Sequence, residues 1–100
     1  MKYFQKRESR HWIQDYGFEE TNRTVIGLPC QYETCIYSKS GLYCIWIGVD
    51  FDNLDVHLYI EYKCGGEVYR SSISFEDIDV DDEDEFMSKL EDLISGYMED

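Results

Sequence analysis

Eight of the ten residues from Glu76 to Glu85, EDIDVDDEDE, are acidic. The chemistry available to such a run is that of a polyanion. Its first half alternates, with Asp77, Asp79 and Asp81 on one side and Ile78 and Val80 on the other. In an extended chain this sets a carboxylate about every 6.6 Å along one edge, a spacing comparable to that of phosphates along a DNA strand. Its second half, Asp82, Glu83, Asp84 and Glu85, crowds the start of a helix. Acids there stabilise the positive end of the helix dipole by roughly 0.3–1 kcal/mol each, and acids anywhere favour solubility. One or two would meet the first need, and eight repel one another. The excess points to an outward-facing acidic surface for a partner, made of Asp77, Asp79, Asp81, Asp82, Glu83, Asp84 and Glu85.

Other reactive side chains offer less. The D-x-D-x-E-x-E pattern from Asp79 resembles a calcium loop, but an EF-hand needs Gly at its sixth position and Glu at its twelfth, where this chain has Asp84 and Leu90. Asp50, Asp52 and Asp55 form a second small acidic group in a turn. The four cysteines, Cys30, Cys35, Cys44 and Cys64, show no C-x2-C knuckle of the kind that opens a zinc site. Most sit in apolar stretches, which suggests reduced, buried thiols acting as small hydrophobes; the alternative is a four-cysteine or Cys/His57 zinc site. His57 alternates with apolar neighbours and is expected to face water. No G-x-S-x-G, phosphate-binding glycine loop or H-E-x-x-H is present. The expectation is a protein that is not an enzyme, with no catalytic residues, no metal and no cofactor.

These residues need a scaffold. The 100-residue length argues for one domain, residues 1–100. Alanine is absent and Ile, Tyr and Phe are frequent, which favours strands. Phe4, Trp12, Ile13 and Tyr16 share a face opposite Lys6, Arg7, Arg10 and Gln14, so Met1–Tyr16 reads as a helix closed by Gly17. In LDVHLYIEY, Leu54, Val56, Leu58, Ile60 and Tyr62 alternate with polar positions, which defines a strand. LYCIWIGV, residues 42–49, is apolar on both faces and suits a central strand. Turns at Lys39–Gly41, Asp50–Asn53 and Cys64–Gly66 join successive strands closely enough to force antiparallel neighbours. In the last strand, Glu67–Phe75, Tyr69, Ile73 and Phe75 share a face. Phe86, Leu90, Leu93, Ile94 and Tyr97 form the stripe of an amphipathic helix, with Asp82 as N-cap and Glu85 as its reciprocal partner. The fold class expected is α+β: an antiparallel β-meander of about four strands, an N-terminal helix and a C-terminal amphipathic helix packed on the sheet.

Charge then narrows the partners. The chain carries 22 acidic and 9 basic residues, a net charge of −13, and most of the deficit lies after residue 75. That balance disfavours direct contact with nucleic acid or an anionic membrane. No apolar run approaches the roughly 20 residues of a membrane helix, and the start at Met1 shows no export pattern, so a cytoplasmic location is expected. In size, charge and composition the chain resembles small acidic phage-encoded inhibitors of host nucleases, anti-CRISPR proteins among them. The resemblance implies a DNA-mimicking, protein-binding inhibitor that occupies the basic groove of a nuclease or another nucleic-acid-binding protein, acting in the host cytoplasm if phage-encoded. The alternatives are an immunity protein that neutralises a toxin, and a non-catalytic accessory domain whose acids serve solubility.

Overall fold

Period-two alternation in Leu54–Tyr62 and the apolar run before it require a sheet with one sealed face. The structure, a computed structural model, describes residues 3–4, 11–79 and 81–99. The chain runs α1 (Trp12–Asp15), β1 (Glu19–Glu20), β2 (Thr24–Val25), β3 (Leu28–Pro29), β4 (Tyr32–Tyr37), β5 (Tyr43–Asp50), β6 (Asp55–Tyr62), β7 (Glu67–Ser74) and α2 (Glu83–Met98). One antiparallel sheet has the order β1-β4-β5-β6-β7, and β2-β3 is a separate hairpin. The class is α+β. The four-strand meander is β4–β7; the sheet gains a fifth strand because Glu19 and Glu20 pair with Glu33 and Tyr32 of β4.

The apolar run at 42–49 becomes β5, the middle strand. On its inner face Ile45, Ile47 and Val49 lie opposite Ile60, Leu58 and Val56, and all six are buried. Helix α2 covers this face with Phe86, Met87, Leu90, Ile94 and Met98 buried, and with Leu93 and Tyr97 packed at the margin. The stripe is therefore wider than the five-residue pattern suggests. Burying each such side chain contributes about 1.5–3 kcal/mol, which is ample to hold an acid-rich helix against the sheet.

The outer face departs from expectation. His57 is 2% exposed rather than facing water. Its Nε2 lies 3.0 Å from the Pro29 carbonyl and its Nδ1 2.9 Å from Ser72 Oγ. A carbonyl only accepts, so in the neutral ring Nε2 donates to Pro29 and Nδ1 accepts from the Ser72 hydroxyl. The β2-β3 hairpin covers the ring, and it can approach because the residue opposite His57 is Gly48. A Cβ on Gly48 would stand 2.8 Å from Val25 Cγ2 and 3.0 Å from Cys30 Sγ.

The N-terminal helix is also shorter than expected. Lys6, Arg7 and Arg10 lie outside the described residues, and the described helix is Trp12–Asp15. A single helix over 1–16 is interrupted at His11, whose backbone is extended (φ −136°, ψ 145°). His11 Nδ1 accepts a hydrogen bond from the Ile13 N–H at 3.1 Å, so the imidazole caps the helix. The residues expected on its apolar face no longer share one helix, but Phe4, Ile13 and Tyr16 are buried and Trp12 packs half-buried against the core. Gly17, with φ 93°, follows the helix as its sequence position implies.

The notch at Gly48 sets a testable contrast. Gly48→Ala should lower stability by about 1–3 kcal/mol in urea unfolding, because Val25 must move. Gly96→Ala, at a helical position with open space around it, should instead raise stability by roughly 0.5–1 kcal/mol.

Candidate functional site: an acidic segment beside an aromatic cleft

Residues 76–85 lead from the last strand into the first turn of the last helix, and two buried rings hold their ends. Phe75 and Phe86 are 0% and 1% exposed, and their ring centroids lie 4.9 Å apart. Between them Ile78 is buried. The acidic segment is thus tied to the core at both ends and once in the middle, and its other described side chains are exposed except Glu83, which is half-buried. Val80 lies outside the described residues.

The segment is not the extended ribbon that its alternation implies. It turns at Glu76–Asp77, where the Ile78 N–H donates to the Phe75 carbonyl at 3.1 Å. A second turn follows, with Asp79 Oδ1 accepting from the Asp81 N–H at 2.9 Å and the Asp79 carbonyl accepting from the Asp82 N–H at 2.9 Å. Aspartate favours such turns because its short carboxylate reaches the backbone two residues on. Asp82 caps α2 as expected, accepting from the Glu85 N–H at 3.1 Å. Its own N–H is already taken by Asp79, so the reciprocal half of the capping box is replaced. The regular 6.6 Å spacing is lost, and a compact knob of carboxylates replaces it.

All seven expected site residues fall on this knob. Asp77, Asp79, Asp81, Asp82, Asp84 and Glu85 are exposed, and Glu83 is half-buried. Asp77 pairs with Lys89 Nζ at 3.3 Å. Asp79 and Asp82 serve the backbone and still present their carboxylates to solvent.

Sequence reasoning missed the neighbour of this knob. A cleft of about 450 Å³ has Asp81 on its rim together with Glu20 and Asp52. Its walls are aromatic: His11 stacks on Tyr32 at 5.2 Å, Tyr32 meets Phe51 edge-on at 5.9 Å, and Trp12 meets Phe51 edge-on at 6.0 Å. Trp12 in turn meets Phe86 at 5.4 Å, so the rings run without a break from the cleft to the clasp under the acidic knob. The contributing residues come from the start of α1, the start of β4 and the β5-β6 turn. No local pattern joins them; only the sum of unassigned aromatics hints at such a cluster.

The β5-β6 turn is fixed by Asp50, which is buried. Its carboxylate accepts from Asn53 Nδ2 at 2.7 Å, Gln31 Nε2 at 3.1 Å, the Asp52 N–H at 3.0 Å and the Asn53 N–H at 3.3 Å. Burial pushes this carboxyl up, but the bonds from Asn53, Gln31 and Asp52 outweigh it and hold it below the usual carboxylate value. Of the acidic group in this turn, Asp50 is structural, and Asp52 reaches the cleft.

Cys30 and Cys44 are buried, Cys35 is half-buried and Cys64 is exposed. Cys35 Sγ and Cys44 Sγ approach to 3.0 Å on the outer sheet face. Burial, followed by the hydrogen bond with Cys44, pushes the Cys35 thiol up to about 12. Burial also raises Cys30. Among the described residues no group of three or more His, Cys, Asp or Glu side chains could hold a metal ion, and no helix is long and apolar enough to cross a membrane. The chain matches no protein-family model, no curated protein and no solved structure.

Two outcomes follow from these contacts. The stability that Asp50 contributes is present above the unfolded carboxyl value, near 3.9, and is lost as pH falls through the lower folded value. Asp50→Asn should therefore cost about 1–3 kcal/mol at neutral pH, and urea curves of the two proteins should converge below about pH 4. Native-state alkylation followed by mass spectrometry should label Cys64 well before Cys30, Cys35 or Cys44, since the thiolate is the reactive form. Equal labelling of all four would contradict the described burial.

Proposed function

We propose that this protein is an acidic binding module that docks on the basic nucleic-acid-binding groove of a partner protein, such as a nuclease, and blocks it. The supporting observation is the clasped knob at 76–85, anchored by Phe75, Ile78 and Phe86 and bordered by a ring-lined cleft. Dense surface carboxylates attract a basic groove over a long range and speed encounter. Aromatic side chains at the border supply the short-range anchors that dominate interface energies, and a cationic side chain entering the cleft would meet its aromatic lining and the acids Glu20, Asp52 and Asp81. No catalytic step is part of this reading. A toxin nuclease neutralised by an immunity protein would use the same surface.

One observation favours a second reading. Asp79 and Asp82 satisfy backbone amides, and Asp77 pairs with Lys89, so part of the acidity serves the turn and the helix cap. On that reading the remaining acids only keep an accessory domain soluble.

Substitution separates the two. Asparagine retains the turn and cap geometry at Asp79 and Asp82, so a variant with Asp77, Asp79, Asp81, Asp82 and Asp84 all changed to Asn should keep its circular dichroism spectrum. The assay is displacement of labelled duplex DNA from a panel of basic nucleases. The wild type should compete, less well as salt rises, and the variant should compete at least tenfold less. Equal competition by the two proteins, or none by either, would sink the inhibitor reading.

A further inference from the structure

The two ends of the main sheet differ. At one end β1 is two residues long, and both are glutamate, which blunts the edge by shortness and like charge. At the other end β7 runs for eight residues, and no further described strand pairs with it. It contains no proline and no lysine. Its two charged residues, Glu67 and Arg70, neutralise each other at 2.8 Å. In a chain of net charge −13, the open edge is a neutral stretch.

The direction of its backbone groups can be read from one bond. The Phe75 N–H donates to the Leu54 carbonyl at 2.6 Å, on the side of β6. Alternation then turns the N–H and C=O of Arg70, Ser72 and Ser74 outward; it stops at Val68, where the register with β6 shifts in a bulge between Ile60 and Glu61. A second β7 can bond to this edge antiparallel only with outward residues facing outward residues. Setting Arg70 opposite Arg70 brings two guanidiniums together. Setting Ser71 opposite Ser71 puts Arg70 against Ser72 and Tyr69 against Ile73, with no like charges opposed. Tyr69 is 37% exposed and lies with Ile73 on the face that α2 covers, so each meets an aromatic or β-branched partner, a favourable cross-strand pair.

We propose that β7 is a homodimer edge: two copies of this chain pair antiparallel through β7, with Ser71 at the two-fold axis and a continuous sheet across the interface. The two symmetry-related Arg70–Ser72 pairs form about four backbone hydrogen bonds between the copies. The acidic knobs oppose association through their charge, so the dimer strengthens with added salt. This is the reverse of the salt response of a basic partner, and the dimer stands whether or not the inhibitor reading does.

Light scattering on a sizing column tests it. Wild-type protein at high micromolar concentration in high salt should give twice the 11.9 kDa mass of one chain. Arg70→Pro removes an outward N–H that β6 does not use, a change edge strands tolerate, and should give monomer with an unchanged circular dichroism spectrum. If that variant misfolds, Ser71→Cys in a Cys64→Ser background decides. Hydrogen peroxide should join two copies through residue 71, two thiols yielding one disulfide and two waters. A monomeric wild type in high salt, a folded Arg70→Pro dimer, or no cross-link at residue 71 would overturn the proposal.

Discussion

The contact between Phe75 and Phe86 is the constraint on which the surface chemistry rests. Eight carboxylates within ten residues repel one another, and a free segment of that composition would spread out in water. Here the rings on either side of it meet in the core at 4.9 Å, and Ile78 is buried between them. Hydrophobic burial at the ends, several kcal/mol in all, opposes the repulsion in the middle. The cost of concentrating charge is therefore met by residues that carry none. Phe86 also contacts Trp12 and Phe51, so the acidic knob and the aromatic cleft share one foundation.

The sheet is dressed unequally. Its inner face is sealed by a sixteen-residue helix. Its outer face is covered at Gly48 and His57 by a hairpin of two-residue strands and is open beside it, where a groove of about 430 Å³ runs over Trp46 and Tyr59. The charge is unequal too. The acids concentrate where β7 leaves the sheet and enters α2, while β7 itself is neutral. The proposed attraction for a basic surface and the proposed pairing of like strands therefore fall on separate parts of the molecule.

Much of this was legible in the sequence where one element carries its own periodicity. The alternation in 54–62 announces the strand Asp55–Tyr62, with Leu54 falling in the turn before it at φ 55°; Phe86–Tyr97 announces a helix, and the three turns between β4 and β7 fix antiparallel order. The failures have a common physical cause: a short segment whose conformation is decided by something remote. His57 reads as solvent-facing because the residues that cover it, Val25 and Pro29, come from a hairpin too brief to show any period. His11 breaks a helical pattern because its ring stacks on Tyr32, twenty-one residues away in the chain. Within Asp77–Asp81 the alternation favours an extended chain, but the tendency of aspartate to bond its own backbone prevails. The seven acids were readable as one acidic patch; the cleft beside them was not, since its aromatic walls come from three separate stretches.

The Gly48 notch has a consequence for how the molecule comes apart. The hairpin is seated by shape against a missing Cβ and by one imidazole that bridges Pro29 and Ser72. Neither contact belongs to the core under α2. Lifting the hairpin would wet His57 and Cys30 together while the meander and its helix stay intact. Opening of the outer face then needs less than opening of the core under α2, and amide exchange should resolve the two as separate events.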